Sequence, residues 1–155
     1  MTTPDIRLVA KTDDETARWL PIAMAAYERA RRDAGDTPEQ AETARRLSQE
    51  QFFPDDRVID GHFLFTVVAD GEEAGWLWIG PVDGTTGWYV WDVEVHEGHR
   101  GRGLGRATMR LAEDFARSQG ATSMRLNVFA YNVPAVRLYE SLGYATAAMH
   151  MQKAL

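Results

Sequence analysis

Residues 92–106 read Asp92-Val93-Glu94-Val95-His96-Glu97-Gly98-His99-Arg100-Gly101-Arg102-Gly103-Leu104-Gly105-Arg106. Apolar and charged residues alternate up to Val95, the pattern of a strand, and glycines then recur at 98, 101, 103 and 105. From Gly103 to Gln119 the period becomes helical, with Leu104, Thr108, Leu111, Ala112 and Phe115 on one face and Gly120 just past the end. A strand, a glycine turn and a helix start in this order expose the free N–H groups of the first helical turn to an anion. Glycine allows close approach of such a ligand and tolerates positive φ. Arg100, Arg102, Arg106 and Arg110 crowd the positive end of the helix dipole, where a cation is disfavoured by about 0.3–1 kcal/mol. A bound polyanion would neutralise both; the plainer reading is a glycine turn with arginines on a solvated helix face. No Gly-Lys-Ser/Thr follows, so this is not a Walker loop. Nor is it a good dinucleotide fingerprint, because the strand before it closes a meander rather than opening a βαβ unit.

Upstream, Phe63 to Ala69, Ala74 to Gly80 and Gly87 to Val95 read as three antiparallel strands, the first two joined at the turn pair Asp70-Gly71. Before them come a short strand, Ile6 to Ala10, and two helices. The first helix opens on the capping box Thr12-Asp13-Asp14-Glu15 and runs to about Ala34, with a kink or break expected at Pro21. The second starts at Thr37-Pro38 and stops before Pro54. Downstream, Thr122 to Phe129 reads as a strand. Asn132 is an N-cap for a helix with Ala135, Leu138, Tyr139 and Leu142 on its apolar stripe, Gly143 ends it, and Tyr144 to Lys153 reads as a last strand. The strand–helix–strand crossover makes the Val93 and Leu126 strands parallel neighbours. The class is therefore mixed α/β, one domain over residues 1–155, with an antiparallel N-terminal meander.

The 155 residues carry 45% hydrophobic and 26% charged residues, a balance that supports a folded core. The count of cysteines is zero, which removes thiol nucleophiles, zinc–thiolate sites and disulfides. A formal charge of −6, from 23 acidic against 17 basic residues, argues against a nucleic-acid ligand and mildly favours cationic partners such as amines. The N-terminus lacks a secretory pattern and no apolar run suffices to span a bilayer, so a cytoplasmic protein without membrane partners is expected.

The loop Arg100-Gly101-Arg102-Gly103-Leu104-Gly105 resembles the pyrophosphate loop of the GNAT N-acetyltransferases, Gln/Arg-x-x-Gly-x-Gly/Ala, directly after a Val-x-Val strand. A second stretch, Asn132-Val133-Pro134-Ala135-Val136-Arg137-Leu138-Tyr139-Glu140-Ser141-Leu142-Gly143-Tyr144, is similar to that family's Asn-x-x-Ala-x-x-Leu-Tyr-x-x-x-Gly-Phe/Tyr helix. The likeness covers about residues 88–153, and the N-terminal helices and the meander agree in layout only. It implies the GNAT fold, with a parallel strand pair splayed apart and flanked by helices, and direct transfer of an acetyl group from acetyl-CoA to a primary amine without a covalent enzyme intermediate. The amine could belong to a small molecule or to a protein. It also implies that backbone amides of Arg100, Gly101, Arg102, Gly103, Leu104, Gly105 and Arg106 hold the CoA pyrophosphate. The main chain of Val93 and Val95 would pair with the pantetheine arm, the Val95 N–H would face the thioester oxygen, and Asn132 would bind the arm from the other side. Tyr139 would protonate the departing thiolate; its plain alternative is a core aromatic at helical spacing.

Strict alternation puts Trp88, Val90, Asp92, Glu94 and His96 on one face of their strand and Tyr89, Trp91, Val93 and Val95 on the other. Glu94 is on this reading the general base that takes the amine proton, with Asp92 in reserve; a half-exposed strand carboxylate is the alternative for both. Trp76, Trp78, Trp88 and Trp91 read as sheet packing rather than an acceptor pocket. His62, His96, His99 and His150 show no metal-ligand spacing, so no metal is expected. The partners expected are acetyl-CoA and an amine, with a homodimer allowed. The rival function is a non-catalytic acyl-CoA sensor on the same fold.

Overall fold

The N-cap residues set the boundaries of the first two helices in a computed structural model that describes residues 3–155. After strand β1 (Ile6–Ala10), Thr12 Oγ1 accepts from the Glu15 amide at 3.2 Å while Glu15 Oε2 accepts from the Thr12 amide at 2.7 Å, and helix α1 (Asp13–Asp33) follows. Thr37 and Gln40 repeat the same reciprocal pair at the start of α2 (Pro38–Phe52). Pro21 does not break α1: the helix runs continuously through it, with Trp19, Leu20, Ala23 and Met24 buried around it. That packing, made on both sides of the proline, offsets the one lost backbone hydrogen bond.

Strands β2 (Phe63–Ala69), β3 (Glu72–Pro81) and β4 (Gly87–Val95) form the expected meander, and Asp70 and Gly71 both take positive φ, 51° and 84°, in the β2–β3 turn. Helix α3 (Leu104–Ser118) crosses over to β5 (Ser123–Leu126), and α4 (Val133–Ser141) follows. The sheet order is β1-β2-β3-β4-β5, antiparallel throughout except for the parallel β4–β5 pair. One face buries Phe65, Val67, Leu77, Ile79, Trp88 and Val90 against Met109, Ala112 and Ala116 of α3. The other buries Leu64 and Trp78 against Trp19, Leu20, Ala23 and Met24 of α1 and the Phe52-Phe53 end of α2.

Two irregularities make the site. Pairing of β4 with β5 covers only Gly87–Val90 against Ser123–Leu126, so β4 continues to Val95 with no neighbour on that side. Second, the β3–β4 register pairs Trp78 with Asp92 but Ile79 with Val90, which leaves Trp91 as the extra residue of a β-bulge. The bulge overturns strict alternation. Trp88 and Val90 share the α3 face with Val93, whereas Trp91 packs with Trp78 on the α1–α2 side and Asp92 and Glu94 stand opposite Trp78 and Trp76.

Two strand expectations need correction. β5 ends at Leu126 instead of Phe129, because the chain turns away there and stacks Phe129 on Tyr131 with ring centroids 5.5 Å apart. Residues 144–153 form no strand. Their large apolar side chains after Tyr144 are Met149 and Met151, 78% and 82% exposed, so nothing is buried by fixing an alternating pattern. Gln152 instead donates its Nε2 to the Ala34 carbonyl at 2.7 Å.

At Gly75 the β3 and β4 backbones leave no room for a side chain: a Cβ there would lie 1.9 Å from the Glu94 carbonyl oxygen. Neither backbone can give way without parting the strands that carry the site. Gly75→Ala should cost more than about 2 kcal/mol in denaturant unfolding, whereas Gly98→Ala, where a Cβ meets nothing within 4 Å, should stay within about 0.5 kcal/mol.

Candidate active site

The glycine loop leaves β4 at His96, makes one 3-10 turn over Glu97–His99 and enters α3 at Gly103, whose φ of 77° no β-carbon residue adopts readily. No side chain caps α3, and the first bond into the helix runs from the Ala107 amide to the Gly103 carbonyl. The amides of Leu104, Gly105 and Arg106 therefore lack intrahelical partners. A Cβ on Gly101 or Gly103 would meet nothing within 4 Å, so the loop has open space above it. Gly105 serves packing: a Cβ there would lie 3.1 Å from Leu138 Cδ2 of α4. Leu104 is fully buried against Ala69 and Ala74 and pins the loop to the sheet.

Three of the four expected arginines are held by the fold, and Arg110 lies exposed on α3. Arg100 donates Nε to the Val95 carbonyl at 2.9 Å and Nη2 to Glu94 Oε1 at 2.6 Å. Arg102 reaches Asp70 Oδ2 in the β2–β3 turn at 2.6 Å, and Arg106 reaches Ser141 of α4 at 2.6 Å. Asp70 also accepts the Asp5 amide, and that bond together with Arg102 holds its carboxyl below the usual range.

Past Val90 the free side of β4 faces the gap left by β5. The His96 amide donates to the Ala74 carbonyl of β3 at 2.8 Å, so by antiparallel alternation Glu94 also points its amide toward β3, and Val93 and Val95 point theirs into the gap. The Val95 carbonyl is taken by Arg100. Its amide remains available to a ligand.

Tyr139, on α4, packs against the α3-side core and stands 6.0 Å from Tyr144, ring to ring. Burial first, then the negative charges of Asp92 and Glu94, raise its hydroxyl above the ordinary tyrosine value. Tyr139 is therefore fully protonated at neutral pH and shares one electrostatic environment with both β4 carboxylates. Those carboxylates differ sharply. Glu94 is half-exposed and ion-paired to Arg100. Asp92 is withdrawn from water beside Trp76, whose Nε1–H donates to its Oδ2 at 2.9 Å. Loss of solvation raises its carboxyl to about 6; the Trp76 bond opposes this, Glu94 adds to it, and the Val93 amide opposes it. Asn132 caps α4, its Oδ1 accepting the Ala135 amide at 3.4 Å, at the mouth where β5 turns away.

Two features lie beyond the reading of the sequence: Trp76 packs in the sheet as expected but also donates to Asp92, and Trp91 is the extra residue of a bulge. The signal for the bulge lay in the spacing of Val90, Val93 and Val95, which shifts from odd to even and cannot be one face of a regular strand. Among the described residues no group of three or more metal-ligating side chains is assembled, and no helix is long and apolar enough to cross a membrane.

Residues 20–144 match the model of the acetyltransferase (GNAT) family. The chain is 31% identical over 122 residues to the N-acetyltransferase YdgE of Bacillus subtilis (strain 168), covering 77% of this chain and 78% of that one. It is 38% identical over 104 residues to the streptothricin acetyltransferase of Streptomyces lavendulae, 60% of this chain and 55% of that relative's length. The crystal structure of the acetyltransferase YycN from Bacillus subtilis superposes with a TM-score of 0.87 at 26% identity, over 97% of this chain and 99% of that one. With the glycine loop, the splayed strands and the α4 tyrosine in place, these likenesses have one reading: the chain belongs to the GNAT family of N-acetyltransferases.

Proposed function

We propose that this enzyme transfers the acetyl group of acetyl-CoA directly to a primary amine, with Asp92 as the group that takes the amine proton and Tyr139 as the group that donates to the departing sulfur. The observation that carries this reading is the gap beside β4, where the Val95 amide has no strand partner and Tyr139 and Asp92 share one electrostatic environment. The amides of Arg100, Gly101, Arg102, Gly103, Leu104, Gly105 and Arg106 would hold the pyrophosphate, in the open space over Gly101 and Gly103. Val93, Val95 and Asn132 would flank the pantetheine arm. Bound there, acetyl-CoA supplies an activated acyl carbon and a thiol leaving group.

The chemistry then falls to the chain's own groups. The amine lone pair forms the C–N bond, and the Val95 amide donates to the oxygen on which charge grows; such a donor contributes about 2.7–4 kcal/mol. The C–S bond breaks toward Tyr139. A thiol near pKa ~8.5 lies below the tyrosine hydroxyl, so Tyr139 acts by hydrogen bonding as charge develops rather than by full early transfer. A cationic amine gives one proton to Asp92, which frees the lone pair for attack, and the second proton, lost from nitrogen once the C–N bond has formed, balances the one delivered to sulfur through Tyr139. Glu94, the residue first expected as base, is engaged by Arg100, and its charge favours approach of a cationic amine. Asp92 is the better base: raised to about 6, it is ionised at neutral pH yet basic enough to take a proton.

The sign of its pH effect is fixed. Asp92 accepts a proton only when ionised, so kcat/KM should fall as pH drops through about 6. A carboxyl raised on folding stabilises the fold below its unfolded value near 3.8, and that contribution is lost as pH rises through about 6. Asp92→Asn should therefore lose at least ~100-fold in kcat while gaining about 1–3 kcal/mol of stability at pH 7 and almost none at pH 4. Glu94→Gln should keep its acidic limb; a limb abolished by Glu94→Gln and untouched by Asp92→Asn would reverse the assignment. Tyr139→Phe should lower kcat about 10–100-fold with acetyl-CoA affinity unchanged in calorimetry, and wild-type turnover would return Tyr139 to the core. Gly103→Glu should abolish acetyl-CoA binding without unfolding the protein. Free thiol released from acetyl-CoA across an amine panel tests the activity itself: release with some amines is expected, and binding without release across the panel would favour a sensor.

A further inference from the structure

We propose that Trp76 is a positioning residue for the transfer, its indole N–H fixing the Asp92 carboxylate through Oδ2 so that Oδ1 is aimed at the incoming amine. The inference rests on the reading of Asp92 as base and adds to it the device that holds the carboxylate in place.

Three observations carry it. Trp76 Nε1 lies 2.9 Å from Asp92 Oδ2, and both side chains are half-buried. The indole cannot turn freely, because Trp19 of α1 meets it edge-on at 6.0 Å and the His96 ring meets it at 5.7 Å and 70°. The bond exists only because of the Trp91 bulge. With regular alternation Asp92 would follow Val90 to the α3 face; the extra residue turns it across the sheet, opposite Trp78 and diagonal to Trp76. A bulge and a clamped indole converging on one carboxylate is more than packing requires, since Trp76 would bury the same ring without donating to a titratable group.

The charged and titratable groups around Asp92 are few. Glu94 lies on its own strand, Tyr139 on α4, and Arg100 sits beyond Glu94 in the glycine loop. His96 touches the Trp76 ring with its Nε2 buried and unpartnered among the described residues, and His62 stacks on Trp91. Of these, His96 is the one in direct ring contact with the indole, 5.7 Å between centroids.

Two measurements on the enzyme test the proposal. First, the indole 15N–1H resonance of Trp76 is followed from pH 4.5 to 8 in wild type, Asp92→Asn and His96→Gln. It should shift with a midpoint near 6 in wild type and in His96→Gln, and stay flat in Asp92→Asn; a flat wild-type resonance, or a shift removed by His96→Gln, overturns the proposal. Second, Trp76→Phe keeps a ring and deletes the donor. It should move the acidic limb of kcat/KM upward by about half to one pH unit, because a bond to the ionised form is lost. It should also lower kcat about tenfold through poorer orientation and leave the KM for acetyl-CoA within about twofold. A purely structural role would leave the limb where it was. Should Asp92→Asn retain full activity, the base assignment itself fails; should it be inactive while Trp76→Phe keeps the wild-type limb, only the positioning role fails.

Discussion

Every backbone N–H that folding removes from water needs an acceptor, and β4 leaves the requirement unmet past Val90. There β5 turns away and the outward amide of Val95 faces a gap instead of a strand, while that of Val93 supports the Asp92 carboxylate. A regular parallel pair would have closed that side and left a sheet with no site in it. Keeping it open requires rigid support elsewhere, and the structure supplies it: the other edge of β4 pairs with β3 on both sides of the Trp91 bulge, and Gly75 permits a backbone approach that any side chain would forbid. The neighbouring loop repeats the logic, because α3 begins without a side-chain cap and its first amides have no partner within the helix.

The arginines around that loop follow from the same economy. Placed at the positive end of α3 they would repel the dipole and one another, yet Glu94, Asp70 and Ser141 each hold one by a short bond. Their charge stays beside the loop in fixed directions rather than dispersing into solvent. Asp92 is the opposite case. It bears a cost in solvation that Arg100, already committed to Glu94, does not relieve, and only an indole donor and a neighbouring amide moderate it. A carboxylate left in that condition costs the fold stability at neutral pH, which fits the role proposed for it.

Much of this was legible in the residues. The capping box at Thr12, the helix start at Thr37-Pro38, the Asp70-Gly71 turn and the glycine run after Val95 act within a few residues, so local chemistry decides them and each formed where expected. What was not legible depends on partners far along the chain. The Trp91 bulge is a property of the β3–β4 register, and alternation alone assigned Val90 and Asp92 to one face when the structure separates them. Residues 144–153 have a strand-like composition but no apolar face worth burying, and Pro21 sits in a helix that packing on both sides keeps whole. The difference between Asp92 and Glu94 could not be seen either, since it arises from Trp76 and Arg100, brought together only by folding.

Amide hydrogen exchange, resolved residue by residue with and without CoA, tests the open side of β4 most directly. The Val95 amide and those from Gly101 to Arg106 should exchange quickly in the free enzyme and slow together by tenfold or more when CoA is present. Glu94 and His96, already bonded to β3, should not change. A Val95 amide equally protected in both states, or slowing confined to residues outside the glycine loop and this edge of β4, would contradict the account.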